Sequence, residues 1–321
     1  MHIREALAEF LFHCKQHSPQ TRSWYTWTLG LFAAWSEQHG YELVEQITAK
    51  GIGSYIDYVA ARPSKTTGEP LSSHYIHSHA RAIRTFVNWL ANDERYEQII
   101  SPRIGQKIPM PHLEHKIVEI FDLEEIGRLF SQAANSPWPV LAARDKAILA
   151  VLLDTGIRAG ELCGLTLDHC FLDDTQPYIK VMGKGSKERE VGLGAKSLAA
   201  LSNYLQKYRL APGPDCTGWN AGANVPAKER RVFLGLAYEP LTRNGLVQLL
   251  ARLGERAAIS RCYAHKFRHT FACLHLTLGG DIHMLSRLMG HTDITVTSTI
   301  YLSAVRSMQA RLLSKSVLDR L

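Results

Sequence analysis

The chain has 321 residues, of which 45% are apolar and 21% charged, with a net charge of +7 and an isoelectric point near 9.1. This length suggests two domains that each bury a core, and the composition excludes a disordered or repetitive chain. No apolar run reaches the roughly 18 residues that span a bilayer. The N-terminus contains acidic Glu5 and Glu9 and has no signal-type apolar segment. We therefore expect a cytoplasmic protein.

Positive charge is concentrated in the second part of the chain. Residues 119–321 hold 25 Lys and Arg against 19 Asp and Glu, whereas residues 1–118 hold 12 against 11. A basic surface suits a polyanionic partner such as a nucleic acid, although it is weak evidence by itself.

Residues 1–100 have the patterning of an all-helical domain. Ser18 and Pro19 form an N-cap followed by a first helical position, and Gly40 is a stop signal for the helix that starts there. Apolar periodicity predicts helices at 3–17, from Pro19 to Gly40, at 48–61 and at about 72–92.

The fourth predicted helix has a buried stripe and a polar remainder. The stripe consists of Ile76, Ile83, Val87 and Leu90. Arg81 and Arg84 lie on other faces, where they fit a DNA contact and an ordinary solvated surface equally well. A histidine cluster there matches metal-ligand spacing only in part, so we predict no metal; it consists of His74, His77 and His79.

Residues 101–118 are predicted to be a basic linker. Three prolines interrupt helix there, and three basic residues keep it positively charged. Such a strap would allow two domains to hold a rod-like partner from both sides.

Residues 119–321 are predicted to form a second domain that mixes helices with a small sheet. Tyr178–Met182 and 187–193 read as a hairpin around Gly183-Lys184-Gly185-Ser186, and 231–234 as a short strand. Helices are predicted at 139–155, 159–167, 195–208, 242–258 and 303–321, with an irregular stretch at 211–230. The predicted fold class is mainly α with a small β-sheet (α+β).

Two arginines stand in apolar surroundings in this second domain. Arg158 lies where one apolar helix ends and another begins, and Arg268 lies within a mainly apolar helix. A guanidinium binds two oxygens of a phosphate at once, and no carboxylate cluster in the sequence suggests a magnesium site for the same task. A structural salt bridge remains an alternative for either arginine.

Neighbouring residues fall at helical spacing from these arginines. Glu161 follows Arg158 by three residues and can orient its guanidinium, or form a simple surface pair with it. His265 precedes Arg268 by three and shares its face, whereas His269 falls off that face and is expected to be structural. The two histidines could also be half of a zinc site, but no acidic residue lies between them and no third ligand follows.

Two further side chains could complete a phosphodiester chemistry. Lys184 stands between two glycines at the hairpin tip, where a mobile ammonium can protonate a leaving oxygen, although it also fits an ordinary turn lysine. The phenol of Tyr301 is a poor nucleophile with a pKa around 10, and nearby arginines and a histidine would make it usable.

Four segments in order resemble the boxes of the tyrosine recombinases, also called the phage-integrase family. Thr155–Leu162 resembles the first arginine box, Gly183–Arg189 the hairpin lysine motif, and His265–Ala272 the His-x-x-Arg box. Leu288–Met289–Gly290–His291 through Tyr301 resembles the closing box. Residues 1–100 resemble the family's helical core-binding domain, which is SAM-like, more loosely.

The resemblance implies a role for each matching residue. Tyr301 would attack the DNA to form a 3′-phosphotyrosine, with Lys184 as general acid and Glu161 as support. The scissile phosphate would be bound by Arg158, His265, Arg268 and His291. Such an ester conserves the bond energy, so no metal, ATP or other cofactor is expected. Arg81, Arg84, Lys187, Arg189 and Arg243 are predicted DNA contacts.

The family also implies an assembly: four protomers on two double-stranded DNA sites, each C-terminal helix docking on a neighbour. The apolar stripe of 303–321 is consistent with that exchange and with packing in cis. The pattern resembles the chromosome-dimer-resolving type, but phage integration, transposon movement and cassette exchange would use the same residues.

Two departures and two alternatives accompany this interpretation. Tyr301 follows His291 by ten residues where nine is commoner, and Gly192 stands where a proline often follows the hairpin motif. A type IB topoisomerase would use the same chemistry to relax DNA without pairing sites. A DNA-binding protein that no longer cuts is disfavoured because all seven positions are filled.

Overall fold

The computed structural model describes most of the chain and divides it into two compact units, Met1–Lys116 and Ile117–Leu321. The described residues are 1–64, 67–113, 118–183, 187–209, 229–235, 238–290, 300–301 and 305. Within these ranges, no helix is both long and apolar enough to cross a membrane.

The described part of the first unit is helical, and its main helices begin where side chains cap them. Ser18, Thr48 and Ser72 each accept a hydrogen bond from the backbone N–H three residues ahead, which satisfies one of the free donors at a helix start. The helices are α1 (Ile3–His13), α2 (Pro19–Gln38), α3 (Ala49–Ala61), α4 (Ser73–Leu90) and α5 (Arg103–Lys107).

The core of the first unit is rich in aromatic rings and includes part of the segment predicted as a linker. Phe10 packs edge-on against Phe86, and Phe32 against Tyr55. Ile108, which follows α5, is buried in the same cluster. The described part of that segment in this unit, 101–113, therefore contributes a helix and an apolar anchor.

Eight of the described helices and strands of the second unit surround or include a central buried helix. They are α6 (Leu123–Ala134), α7 (Pro139–Thr155), α8 (Ala159–Gly164), β1 (Cys170–Phe171), β2 (Tyr178–Met182), β3 (Glu188–Gly192), α9 (Ala195–Tyr204) and α10 (Arg243–Arg256). Two more helices, α11 (Ala264–Thr277) and α12 (Ile282–Met289), carry the site described below. Helix α7 is buried along most of its length and packs against α6, α9 and α11.

The sheet has three antiparallel strands in the order β1-β2-β3. Gly192 pairs with Tyr178 in regular register, so the hairpin does not need the proline often found after this motif. The short strand predicted at 231–234 is wrong: Arg231 and Leu234 make only isolated bridges, to Thr166 and Pro240. The mainly helical class with a small sheet is confirmed.

The predicted C-terminal helix and the irregular stretch lie mostly outside the described residues. Of 303–321 only Val305 is described, and it is helical and buried beside Tyr301. Of the stretch 211–230 only Glu229 and Arg230 are described.

Candidate active site

The first arginine is placed by a break between two helices. Helix α7 ends at Thr155, and the next residue, Gly156, is left-handed at φ 60°. A Cβ at Gly156 would lie 2.3 Å from the ring of Phe271, so only glycine fits there. Two residues later Arg158 is the N-cap of α8, so its backbone N–H is free to donate to Glu161 Oε2 at 2.7 Å. The Arg158 side chain is 40% exposed, which leaves it accessible to an external anion.

Glu161 is the carboxylate that joins two arginines. Its Oε1 accepts from Arg158 Nη1 at 3.0 Å, and Arg189 donates to both of its oxygens, at 2.9 and 2.8 Å. Burial raises the pKa of Glu161, but the hydrogen bonds from Arg189 and Arg158 outweigh it and leave that pKa lowered. Glu161 is therefore ionised at neutral pH and fixes both guanidinium groups.

Three consecutive carbonyls at the C-terminal end of α12 each accept a hydrogen bond from a different arginine. The pairs are Arg189 Nε with Leu288 at 2.7 Å, Arg268 Nη2 with Met289 at 2.6 Å, and Arg158 Nη2 with Gly290 at 3.0 Å. The last carbonyls of a helix lack intrahelical donors and carry its negative dipole end, so cations are stable there. Helix α12 thus aligns the arginines of three separate segments.

Gly290 is required at this helix end for two reasons. Its φ of 62° is left-handed, and a Cβ there would lie 3.1 Å from Arg189 Nη1 and 3.4 Å from Arg158 Nη1. Any larger residue would both strain the backbone and press on the two guanidinium groups.

Arg268 is the buried member of the set, with 1% of its surface exposed. Besides Met289, its guanidinium donates to the carbonyl of Gly156 at 2.7 Å. Burial and the neighbouring charge of Arg158 lower the pKa of Arg268 to about 10, so it stays protonated at neutral pH. A fixed positive charge with little water around it acts more strongly on a nearby anion than an exposed one.

Tyr301 lies beside this cluster and is 1% exposed. Its hydroxyl is 3.0 Å from Nδ1 of His269. Burial raises the pKa of Tyr301 to about 12, while the charges of Arg268 and Arg158 act in the opposite direction. The phenol is therefore protonated at rest, within electrostatic reach of both arginines of the same chain.

The two histidines of α11 occupy different environments. His265 is exposed, and partial desolvation together with the charges of Arg268 and Arg158 lowers its pKa. His269 is buried and contacts Tyr301, which its position one residue after Arg268 did not indicate. The sequence did offer one signal for His269, which is its i,i+4 spacing from His265. Residues at that spacing are neighbours on a helix, and the ring centroids of the two histidines indeed lie 4.4 Å apart. Among the described residues, no group of His, Cys, Asp or Glu is arranged to hold a metal.

The remaining predicted residues are distributed around and away from this cluster. Lys184 and His291 lie outside the described residues, although the Gly183 N–H closes the hairpin on the Lys187 carbonyl at 2.8 Å. Lys187 and Arg243 are exposed, and Arg243 lies against Gly160 next to Arg158. In the first unit Arg81 is exposed and stacks on Trp24 at 5.5 Å, and Arg84 is half-buried.

Arg189, a predicted DNA contact, is mostly buried. Its side chain is only 13% exposed, and its guanidinium donates to Glu161 and to the Leu288 carbonyl. Its guanidinium therefore connects β3 to α8 and α12 by hydrogen bonds inside the protein.

Comparison with known proteins identifies the family of this chain. Residues 119–307 match the model of the phage integrase family. The match covers more than half of the chain, including every segment that contributes to the cluster. The chain belongs to the phage integrase family and is a tyrosine recombinase.

Curated relatives match along nearly the whole chain. Tyrosine recombinase XerC of Yersinia pestis is 28% identical over 294 residues, which cover 91% of this chain and 87% of the relative. Tyrosine recombinase XerC of Natranaerobius thermophilus is 30% identical over 257 residues, which cover 79% and 77%. The similarity is therefore to the Xer type and includes the first unit.

Solved structures share the fold at lower identity. XerH site-specific recombinase, in a post-cleavage complex with a palindromic difH substrate, matches with a TM-score of 0.69 at 17% identity, covering 95% of this chain and 83% of that one. A lambda integrase dimer bound to a COC′ core site matches with a TM-score of 0.66 at 15% identity, covering 94% and 95%. These matches agree with the mainly helical architecture.

Proposed function

We propose that this chain is a site-specific recombinase that cuts and rejoins double-stranded DNA through a covalent 3′-phosphotyrosine at Tyr301. The observation that carries the proposal is the position of that phenol. It lies in the same chain as Arg158 and Arg268, and both guanidinium charges act on it. A phosphodiester bound at exposed Arg158 would lie within reach of both positive charges. The phenol, which is 1% exposed here, must become accessible to attack it.

The arginines supply what phosphoryl transfer needs most, which is charge placed in advance on the non-bridging oxygens. Arg158 is exposed enough to meet an incoming phosphate, and Arg268 adds a desolvated charge behind it. Glu161 and the α12 carbonyls hold both groups in place, so little reorganisation is required when DNA binds. The phosphotyrosine ester keeps the energy of the broken bond, so rejoining proceeds without ATP or a metal ion.

Three roles rest on the motifs rather than on the described geometry. We assign Lys184 as the general acid that protonates the 5′-oxygen, and His265 and His291 as further phosphate ligands. His265 is exposed near both arginines, which suits that assignment.

DNA is the proposed partner, bound as two duplex sites by a tetramer that exchanges C-terminal helices. XerH and lambda integrase were both solved on DNA, the latter as a dimer, and they share this fold. Exposed Arg81, Lys187 and Arg243 are proposed to contact the duplex, together with half-buried Arg84. Arg189 is instead proposed to act internally. We also propose that the two domains divide within 101–118, after the helix and buried Ile108 that pack with the first unit, and that the protein is cytoplasmic.

The test is the capture of a covalent adduct on a nicked cognate site. The full chain should form a protein–DNA adduct that Tyr301→Phe abolishes. The matched control is Tyr55→Phe, which removes the same hydroxyl from a second tyrosine bonded to a buried histidine and should leave the adduct unchanged. Recombination of paired sites, rather than relaxation of supercoils alone, then separates a recombinase from a type IB topoisomerase. A chain that binds the site and yields no adduct would be a non-cutting DNA-binding protein.

A further inference from the structure

The hydroxyl of Tyr301 has a hydrogen-bond partner that the four family-like segments do not single out. His269 Nδ1 lies 3.0 Å from the phenolic oxygen, and both residues are buried. His265, one helical turn earlier on α11, faces the ring of His269. Within the described part of the chain, His265 makes no hydrogen bond to Tyr301.

The protonation states of the pair fix the direction of this bond. Burial, followed by His265 and Arg268, lowers the pKa of His269 to about 4, so the imidazole is neutral near pH 7. The pKa of Tyr301 is raised to about 12, so the phenol keeps its proton. The hydroxyl therefore donates and Nδ1 accepts, which requires the tautomer that is protonated at Nε2.

We propose that His269 is the catalytic base that accepts the phenolic proton of Tyr301 during strand cleavage. The inference rests on the proposed function, since it concerns the same reaction. As the phenolic oxygen bonds to phosphorus, the bond from phosphorus to the 5′-oxygen breaks, and the phenolic proton moves to Nδ1 of His269. The leaving 5′-oxygen takes a separate proton, from the group proposed to be Lys184. Rejoining reverses both transfers.

A weak base is sufficient for this transfer. The proton on the phenolic oxygen becomes far more acidic as the new bond to phosphorus forms, because that oxygen loses electron density. A base is effective when its own pKa lies between the pKa values of the attacking group before and after bond formation. An imidazole of low pKa meets this condition, and it also returns the proton readily during rejoining.

The exposed His265 is less suited to this role. Its ring is directed toward His269, and its neighbours are the two guanidinium groups that are proposed to bind phosphate. The two histidines of α11 would therefore have different roles. His265 lies where the phosphate is expected, and His269 lies at the nucleophile.

The variant that isolates the proton transfer is His269→Asn. The asparagine amide oxygen occupies nearly the position of Nδ1, so it can accept the hydrogen bond but cannot take the proton. The matched control is His79→Asn, which makes the same change at the buried histidine bonded to Tyr55. Lys184→Ala serves as the comparison for a defect at the leaving group.

The measurement is the rate of adduct formation under saturating enzyme, on nicked duplexes with an ordinary 5′-oxygen or a bridging 5′-sulfur at the scissile position. A thiolate leaves without taking a proton, so the 5′-sulfur substrate should restore the cleavage rate of Lys184→Ala. We expect His269→Asn to be slowed by about 100-fold or more on both substrates. His79→Asn should react at the rate of the unmodified chain.

Two results would overturn the assignment of His269. The first is cleavage by His269→Asn at the normal rate, which would show that the phenol needs no base at this position. The second is a cleavage rate that the 5′-sulfur substrate restores, which would place the defect of His269→Asn at the leaving group. Binding to uncleaved DNA and thermal melting check that the variant is folded. If it is not, His269→Ala, which likewise cannot take the proton, replaces it in the same comparison. Absence of any adduct with the unmodified chain would instead reject the proposed function.

Discussion

The two units of this protein each bury a hydrogen bond between a tyrosine hydroxyl and Nδ1 of a histidine. The distance is 3.0 Å in both, for Tyr55 with His79 and for Tyr301 with His269. Burial is the largest cause of the shift in each case: it lowers the pKa of both histidines to about 4 and raises the pKa of both tyrosines. The local chemistry of the two pairs is the same.

Their surroundings differ. The first pair is enclosed by rings: Trp27 and Tyr75 lie 5.6 and 4.8 Å from His79. The second pair adjoins buried Arg268 and is influenced by Arg158. Among the described residues, half-buried Arg62 is the one charged side chain that acts on both members of the first pair. We infer that such a bond is a packing feature by itself, and that a buried guanidinium beside it, as at Arg268, makes a reaction site for an anionic substrate.

The largest test of this contrast removes the buried charge. Arg268→Gln should reduce the rate of adduct formation by about 1,000-fold while DNA affinity stays largely intact, because a desolvated guanidinium matters most as charge develops in the transition state. Single-turnover cleavage and a binding titration on the same site measure the two effects.

The matched control for Arg268→Gln is Arg62→Gln, which removes the charge that acts on the first pair. It should leave cleavage unchanged on saturating DNA. Arg268→Lys, which keeps a charge without the planar fork, should fall between Arg268→Gln and the unmodified chain. Equal loss of DNA affinity and cleavage in Arg268→Gln would contradict the proposed role of the arginine.

A test of intermediate size concerns the helix end that holds the arginines. Gly290→Ala should cost about 1 kcal/mol of stability for its left-handed backbone, and it should also slow cleavage about tenfold by displacing Arg158 and Arg189. Gly279→Ala has the same backbone penalty, at φ 86°, with nothing within 4 Å of the added carbon. Thermal melting should therefore show similar losses for both variants, and only Gly290→Ala should react slowly. Equal cleavage rates would show that the position of the guanidinium groups tolerates this change.

Much of the site could be predicted from the sequence because its boxes are local. Thr155–Leu162 specifies a helix, a left-handed glycine and a new helix start, and these place Arg158 without reference to the rest of the chain. The hairpin followed from alternation around Gly183 and Gly185, and its flanking strands pair as expected.

What the sequence did not predict depends on contacts between distant segments. His269 lies off the face of Arg268 on its own helix, and only Tyr301, 32 residues later, gives it a chemical partner. In the sequence Arg189 resembles an exposed hairpin residue. Its hydrogen bonds to Glu161 and to a carbonyl of α12 can be seen only in the folded structure. The prolines of 101–118 suggest a linker, but Ile108 finds an apolar core that periodicity cannot show over so short a segment.

The smallest expected effect on cleavage is at the first pair, where substitution should change stability alone. Tyr55→Phe leaves Nδ1 of His79 without its donor in a buried site where Nε2 already lacks a partner, so the chain should lose about 1–2 kcal/mol. Replacing both members by apolar residues, in Tyr55→Phe with His79→Leu, should recover part of that loss because no buried polar atom is stranded. Thermal melting of the full chain measures both, alongside adduct formation at the unmodified rate. Slower cleavage by Tyr55→Phe, on DNA that it still saturates, would mean that the first pair takes part in the reaction and that the contrast between the two units is wrong.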